Sequence, residues 1–168
     1  YKTNLYTSPH LLSYTERYVF EDKEINEEDL IELLTDVEKT LGDDNATLFE
    51  ILTCAFLKYA ENFKDNINII EAGLFHQFDS TNVFKENLMT LIGVIHNDHF
   101  QWLENKSIDG VIHEKTAKLL NSNIFINKQV NNEIRDKIDS SLKKNTSNKY
   151  FFVKDFNIEK SENGFIQY

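Results

Sequence analysis

The sequence has few of the residues that cross-link or interrupt a chain. Its 168 residues include one cysteine, one proline and five glycines. The single Cys54 excludes an internal disulfide and a metal site built from several cysteines. Because Cys54 lies within an apolar helical pattern, we expect a buried, unreactive thiol.

Long apolar runs and positive charge are also scarce. No stretch approaches the roughly 20 apolar residues of a membrane helix, and no cationic-then-apolar signal segment opens the chain. The net charge of −10 argues against wrapping nucleic acid, whose phosphates require a basic surface, although a few local donors could hold a small anion. We therefore expect a cytoplasmic protein with neither membrane nor nucleic-acid partners. Because the first residue is Tyr1 and not methionine, we also expect a piece of a longer protein.

What is present is typical of one folded domain. Hydrophobic residues make up 40% of the chain and charged residues 27%, which is enough for a core and argues against disorder. Helical periodicity predicts four helices: one from Asn26 to Gly42, one over 46–63, one after Ser107 that extends through Leu119 and Leu120, and one over 130–143. Short apolar runs predict strands over 1–6, 67–70, 88–95, 124–126, 150–153 and 165–168, with an exposed extended segment over 14–20.

Strands alternating with helices favour an α/β fold, in which a mostly parallel, doubly wound sheet carries helices on both faces. We expect 88–95, the most continuous apolar run, to be a central strand. Ligands of such sheets bind at the carboxyl ends of the strands. Three predicted strand ends are polar: Ser8-Pro9-His10, Glu71, and Asp98-His99.

The residues alone leave the chemistry of these ends open. A carboxylate directly after a buried strand, such as Glu71, could ligate Mg²⁺, which prefers oxygen donors, or could be a solvated strand end. His99 could bind the same metal or could be a hydrogen-bonded core histidine. Ser8 by itself indicates nothing specific.

A set of short motifs, in order along nearly the whole chain, is similar to the folylpolyglutamate synthase/dihydrofolate synthase family. The motifs are Thr7-Ser8-Pro9-His10-Leu11 with Thr15-Glu16-Arg17 ("TSPHL…ERI"), Thr47-Leu48-Phe49-Glu50 ("LTxFE"), Ile70-Glu71-Ala72-Gly73-Leu74 with Asp79-Ser80-Thr81-Asn82 ("EVGLGGRLDATN"), Asp98-His99 with Trp102-Leu103 ("LDHTxxLG"), Ile108 with Glu114-Lys115 ("IxxEKAGI"), and Lys154-Asp155-Phe156 ("GxDF").

The resemblance implies a central, ATP-binding domain of the Mur-ligase type over residues 1–168, truncated at its N-terminus, with the phosphate-loop segment and the C-terminal domain absent. It implies a ligase that transfers the γ-phosphate of ATP to a carboxylate of dihydropteroate or folate. The amino group of L-glutamate then attacks the acyl phosphate. Mg²⁺ and ATP are the implied cofactor and co-substrate, the partners are small molecules, and the protein is expected to be a monomer.

The resemblance also implies a role for particular residues. The implied metal ligands are Ser8, Glu71 and His99; the implied catalytic residues are Lys115 and His99; the implied substrate-binding residues, at the pteridine end, are Thr47, Phe49 and Ser80. Lys115 matches a family lysine that is often carbamylated, and otherwise would be an ordinary solvated helix lysine. Phe49 could equally be a core aromatic residue.

The sequence departs from the family pattern at several points. None of its glycines begins a GxxxxGK(S/T) phosphate loop, whose backbone amides and lysine hold the nucleotide. Phe75-His76-Gln77 replaces a Gly-Gly-Arg, Asn97 replaces a leucine, and Thr116-Ala117 replaces an Ala-Gly. The bulky residues should restrict close backbone approach. We therefore expect this chain alone to bind ATP poorly and to be inactive.

Three alternatives remain open. The chain could be a non-catalytic relic or binding module that keeps the fold without the reaction. It could be a fragment of a cell-wall Mur ligase, although the Thr7–Leu11 segment with Glu16-Arg17 favours the folate branch. It could also be an unrelated doubly wound domain. The upstream coding sequence would separate the first alternative from an active ligase.

Overall fold

A computed structural model of the chain describes residues 1–119, 122–157, 159–160 and 166–167, the last four by their backbone alone. The polypeptide divides into two compact units, Tyr1–Leu74 with Phe78–Val83 and Phe75–Gln77 with Phe84–Tyr168. Each unit has its own sheet and its own hydrophobic core. The predicted α/β class is confirmed.

The first unit is a four-stranded mixed sheet with two helices. Its elements are β1 (Thr3–Tyr6), a 3₁₀ turn (Tyr14–Arg17), β2 (Tyr18–Phe20), β3 (Lys23–Glu24), α1 (Glu27–Leu41), α2 (Leu48–Ala60) and β4 (Ile67–Ile70). The strand order is β3-β2-β1-β4, in which β1 and β4 run parallel and the other two pairings are antiparallel.

The ends of α1 follow the predicted signals. The Asn26 side chain accepts a hydrogen bond from the Asp29 amide, which satisfies one of the free N–H groups of the first turn. Gly42 ends the helix with a φ of 60°, a conformation that glycine adopts without a Cβ clash. The predicted helix over 46–63 is confirmed with shorter bounds.

Two expectations about burial in this unit are wrong. Residues 14–20 are not an exposed extended segment: 14–17 form the 3₁₀ turn, and Tyr18 and Phe20 are buried. Strand alternation directs these two rings to the same face, where both pack against Phe56, with the Phe20 ring 5.4 Å from it. Cys54 is exposed, because it shares with the exposed Lys58 the i, i+4 face of α2 that lies away from the core.

The second unit contains a three-stranded parallel sheet. Its elements are β5 (Met89–Ile92), a 3₁₀ turn (Phe100–Trp102), α3 (Ile108–Thr116), β6 (Asn123–Ile126), α4 (Asn132–Ser141), a 3₁₀ turn (Leu142–Lys144), β7 (Lys149–Phe151), and a two-stranded pair, β8 (Glu159–Lys160) and β9 (Ile166–Gln167). The order of the parallel sheet is β5-β6-β7. The middle strand is thus β6, and the prediction of a central strand at 88–95 is wrong for the strands that the structure describes.

The core of the second unit lies between the parallel sheet and its helices. Ile124 and Ile126 of β6, Val111 of α3 and Ile138 of α4 are all fully buried. The helix after Ser107 ends at Thr116, short of the predicted Leu119, and Leu120 lies outside the described residues. Among the described residues, no helix combines the length and apolar character needed to cross a membrane.

Candidate functional site

The carboxyl ends of β1 and β4 bring two of the predicted metal ligands together. These strands are parallel neighbours in which Tyr6 is paired with Ile70, so the residues that follow them leave the sheet at the same edge. The Ser8 amide donates to the Glu71 carboxylate at 2.7 Å, and the Glu71 amide donates to the Tyr6 carbonyl at 2.9 Å. Ser8 and Glu71 are therefore in direct contact, although 63 positions separate them in the sequence.

The Glu71 carboxylate is available for a ligand. The side chain belongs to an exposed residue, and Ser8 occupies only one of its two oxygens. A carboxylate has about four lone-pair positions, so one backbone donor leaves acceptor capacity for a cation. Ser8 is half-buried, and the peptide bond between it and Pro9 is cis.

His99, the third predicted metal ligand, belongs to the second unit. It stands in the left-handed conformation, with a φ of 59°, at the start of the Phe100–Trp102 turn. Its amide donates to the Asp98 carboxylate at 2.8 Å, and its Nε2 lies 3.4 Å from the other Asp98 oxygen. That His99 shares a metal ion with Ser8 and Glu71 stays a prediction. Within the described residues, no three His, Cys, Asp or Glu side chains gather into a metal-binding group.

Phe75 contacts both predicted catalytic residues within the second unit. Its ring meets the His99 imidazole edge-on at 6.2 Å, and the Lys115 amine lies 5.9 Å from the ring centre. Phe75 stands where the resembled family has a glycine. The expected crowding at this position therefore takes a specific form: an aromatic ring beside the lysine and the histidine.

The three predicted substrate-binding residues all belong to the first unit, but their surroundings differ. Thr47 is the N-cap of α2: its backbone N–H and its hydroxyl donate to the Glu50 carboxylate, and its hydroxyl oxygen accepts from the Glu50 amide, which forms a capping box. Phe49 is half-buried against the Tyr6 ring, at 6.1 Å. Ser80 forms a 2.9 Å hydrogen bond with the Thr53 hydroxyl. Thr47 thus has a structural role, which the S/T-x-x-E pattern predicts.

Gly73 allows Phe49 to approach the backbone after β4. A Cβ atom at Gly73 would lie 2.6 Å from one Phe49 ring carbon and 3.0 Å from an Asp79 carboxylate oxygen. Real Cβ contacts are longer than this, so a side chain at position 73 would displace the ring. The glycine therefore has a steric role at the site.

Asp79 is a site residue that sequence reasoning did not single out. One of its oxygens accepts from the amides of Gly73 and Leu74, at 2.9 and 3.2 Å; the other accepts from the amide and hydroxyl of Thr81, at 3.0 and 2.6 Å. The carboxylate thus ties the segment after β4 to residues 79–81. The bond to Thr81 is an Asx-type turn that an Asp-x-Thr sequence can signal, but the bonds to Gly73 and Leu74 have no local signature.

The phenol of Tyr6 lies at the centre of the polar groups in this unit. Burial raises the pKa of Tyr6, while the Thr53 hydrogen bond and the nearby Arg17 guanidinium oppose that rise. The negative charge of Asp79 also raises the pKa of Tyr6. Arg17 also donates from Nε to His10 at 3.0 Å. The buried Tyr6 hydroxyl is therefore under the electrostatic influence of a guanidinium and a carboxylate, and Thr53 links it to Ser80.

Comparison with curated proteins identifies dihydrofolate synthases and folylpolyglutamate synthases as relatives, and no family model matches. The chain is 35% identical over 124 residues to the dihydrofolate synthase/folylpolyglutamate synthase of Bacillus subtilis (strain 168), an alignment that covers 70% of this chain and 28% of the relative. It is 32% identical over 103 residues to the protein of that name in Escherichia coli (strain K12), with 61% and 24% covered. A folylpolyglutamate synthase of Arabidopsis thaliana is 31% identical over 120 residues, with 68% and 19% covered. The chain thus spans between 19% and 28% of these relatives' length.

Solved structures share the fold. A bifunctional folylpolyglutamate synthase/dihydrofolate synthase of Yersinia pestis, complexed with AMPPNP and a Mn ion, superposes with a TM-score of 0.81 at 24% identity, covering 97% of this chain and 38% of that one. An FPGS–AMPPCP–folate complex superposes with a TM-score of 0.78 at 22% identity, covering 95% and 40%. The resemblance inferred from the motifs is therefore confirmed in both sequence and fold.

Proposed function

We propose that this chain, which resembles the folylpolyglutamate synthase/dihydrofolate synthase family in sequence and fold, is part of an ATP-dependent ligase that joins L-glutamate to dihydropteroate or folate. We also propose that this ligase is cytoplasmic and monomeric. The observation that supports the proposal best is the contact between Ser8 and Glu71 at the adjoining carboxyl ends of β1 and β4. Ligands of parallel sheets bind at this kind of edge.

The residues at this edge fit a hard divalent cation. Glu71 offers an exposed carboxylate with an oxygen that Ser8 does not occupy, and Ser8, whose amide contacts that carboxylate, carries a hydroxyl; such oxygen donors suit Mg²⁺. We propose that these two residues and His99 hold the ion. When bound, the ion would neutralise charge on the phosphates of ATP.

The chain's own residues would position and polarise the substrates. Phe49 and Ser80, linked through Thr53, would hold the pteridine end. Lys115 would act near the phosphates, either as a cation or, after carbamylation, as an anion directed at the metal. The Phe75 ring lies 5.9 Å from its amine, and a ring face favours the cation.

The state of Lys115 can be measured directly. Mass spectrometry and ¹³C NMR of the chain in labelled bicarbonate would detect a carbamate on its amine. Phe75→Gly serves as the matched variant, because it restores the residue of the resembled family and removes the ring beside the amine. An unmodified amine in both proteins would rule out carbamylation of Lys115 under these conditions.

Glu71 provides the main test of the proposal. Mn²⁺ titrated into the chain should bind wild type and should bind Glu71→Ala at least tenfold more weakly, because a carboxylate ligand is lost. Glu38→Ala removes an exposed acid from the outer face of α1 and should bind Mn²⁺ like wild type. In a chimera that joins this chain to the remaining segments of a relative, Glu71→Ala should also abolish Mg²⁺-dependent glutamate addition. Unchanged turnover in that chimera would remove Glu71 from the site.

A binding module without catalysis is the second candidate, and one observation favours it. Phe75 occupies the position of a family glycine next to His99 and Lys115. We propose that the 168 residues alone do not catalyse the ligation. A chimera with an intact phosphate loop that binds pteroate but never releases ADP would support the module over the ligase.

A further inference from the structure

The Thr53 hydroxyl is a buried junction of three hydrogen bonds in the first unit. The Thr53 side chain is 2% exposed. Its oxygen lies 2.8 Å from the Phe49 carbonyl, 2.9 Å from the Ser80 hydroxyl and 3.4 Å from the Tyr6 phenol. The junction therefore connects α2, β1 and the 78–83 segment.

The direction of each bond follows from the donors available. A threonine hydroxyl has one hydrogen and two lone pairs. A carbonyl can only accept, so the Thr53 hydrogen goes to Phe49, and Thr53 accepts from Ser80 and Tyr6. Each of the three bonds at Thr53 thus has one donor and one acceptor.

One consequence concerns Ser80. Its only hydrogen is donated to Thr53, so its remaining capacity is two lone pairs. Ser80 is half-buried and not sealed off, and its neighbour Phe49 is half-buried as well. A ligand at this position would meet an acceptor beside an aromatic residue.

We propose that Ser80 acts as a hydrogen-bond acceptor that selects a ring ligand presenting an N–H group, with Thr53 as the positioning residue that fixes this polarity. The inference rests on the proposed function, because it assumes that Phe49 and Ser80 line the pteridine end of the substrate. A heteroaromatic ring with amino and ring N–H groups is the class of ligand it favours. An isosteric ring that presents a methyl group there should be rejected, because it cannot satisfy the Ser80 oxygen.

The test compares pteroate with analogues in which one N–H at a time is methylated, titrated into the full 168-residue chain. One analogue should bind wild type about tenfold more weakly than pteroate, the scale of one lost hydrogen bond. In Ser80→Ala, the ratio of the dissociation constant of that analogue to that of pteroate should fall to about one. Thr53→Val, which frees the Ser80 hydrogen, should lower the ratio to about threefold or less, and Thr53→Ser should restore it.

The outcomes separate this inference from the function on which it rests. If wild type does not bind pteroate, the proposed function fails and this inference fails with it. If wild type binds pteroate but every methylation ratio is the same in Ser80→Ala, only the acceptor role is wrong. If Thr53→Val keeps the wild-type ratio while Ser80→Ala loses it, Ser80 selects the ligand without help from Thr53. Melting temperatures of all variants would exclude unfolding as the cause.

Discussion

Removing the Asp79 carboxylate should destabilise the first unit by about 2–4 kcal/mol. The side chain accepts four hydrogen bonds, from the amides of Gly73, Leu74 and Thr81 and from the Thr81 hydroxyl. Hydrogen bonds to a charged group contribute about 1.5–3 kcal/mol each, but bonds that share an acceptor are not additive. Gly73 is exposed, so its amide can turn to water, whereas Thr81 is only 9% exposed. The estimate of about 2–4 kcal/mol therefore corresponds to the full energy of fewer than two of the four bonds.

Urea denaturation followed by far-UV circular dichroism would measure the change as a fall in the free energy of unfolding of Asp79→Ala. Asp79→Asn should be nearly as damaging, because its amide nitrogen would face N–H donors where an oxygen now accepts. Asp43→Ala, in the exposed loop after α1, is the matched control and should change stability by less than about 0.5 kcal/mol. A loss below about 0.5 kcal/mol in Asp79→Ala as well would refute the view that this carboxylate holds the segment after β4.

Three further changes have defined outcomes. Gly73→Ala should cost about 1–3 kcal/mol of unfolding free energy, because the new Cβ would lie 2.6 Å from the Phe49 ring. Thr47→Ala should cost about 1 kcal/mol through loss of the capping box of α2, measured by thermal melting. Glu16 accepts from the amides of 11–13, and the Leu11 bond is the largest cause of its lowered pKa. Hydrogen-exchange protection of those amides should therefore be complete above pH 4.5, the group's ordinary value, and should fall as the pH drops through the folded-state pKa.

Each of these changes has a control. Gly93→Ala, with nothing within 4 Å of its Cβ and no positive φ, should cost much less than Gly73→Ala, because it lacks the clash with the ring. Thr47→Ser keeps the cap and should melt within a degree or two of wild type. Glu16→Gln should make the protection factors of amides 11–13 independent of pH in the acid range. Persistent acid sensitivity in that variant would assign the effect to another group.

The positions of the helices could be predicted from local signals in the sequence. One part of the candidate site, the approach of Ser8 to Glu71, could also be predicted. Asn26 and Gly42 are short-range caps, and the structure places them where the rules for helix ends predict. The approach of Ser8 to Glu71 follows from one topological rule, that neighbouring parallel strands end at the same edge. Neither inference requires knowledge of how distant side chains pack.

Features that depend on long-range packing could not be predicted. Tyr18 and Phe20 were expected to be exposed, and they are buried because Phe56, more than 30 positions later, packs over them. The 88–95 run was expected to be central, but an apolar run does not specify its neighbours, and β6 is the middle strand. The donors to Asp79 at Gly73 and Leu74 are backbone amides, which every sequence has, so no residue pattern identifies them.

The position of Phe75 bears on which of the two proposed functions is correct. Two of its contacts can be weighed from general values: a lysine over a ring gains about 0.5–1 kcal/mol at an exposed site, and an edge-on aromatic pair gains about 0.5–1.5 kcal/mol. A glycine at the same position would gain neither. Both terms stabilise the packed unit, and the first is an attraction between the ring and a cation, whereas a carbamate on the Lys115 amine would be an anion. The stability of the unit and the carbamylation implied by the resemblance therefore oppose each other at Phe75. With Glu71 as a proposed metal ligand and phenylalanine in place of the family glycine, we expect the chain to bind its ligands more readily than it activates them.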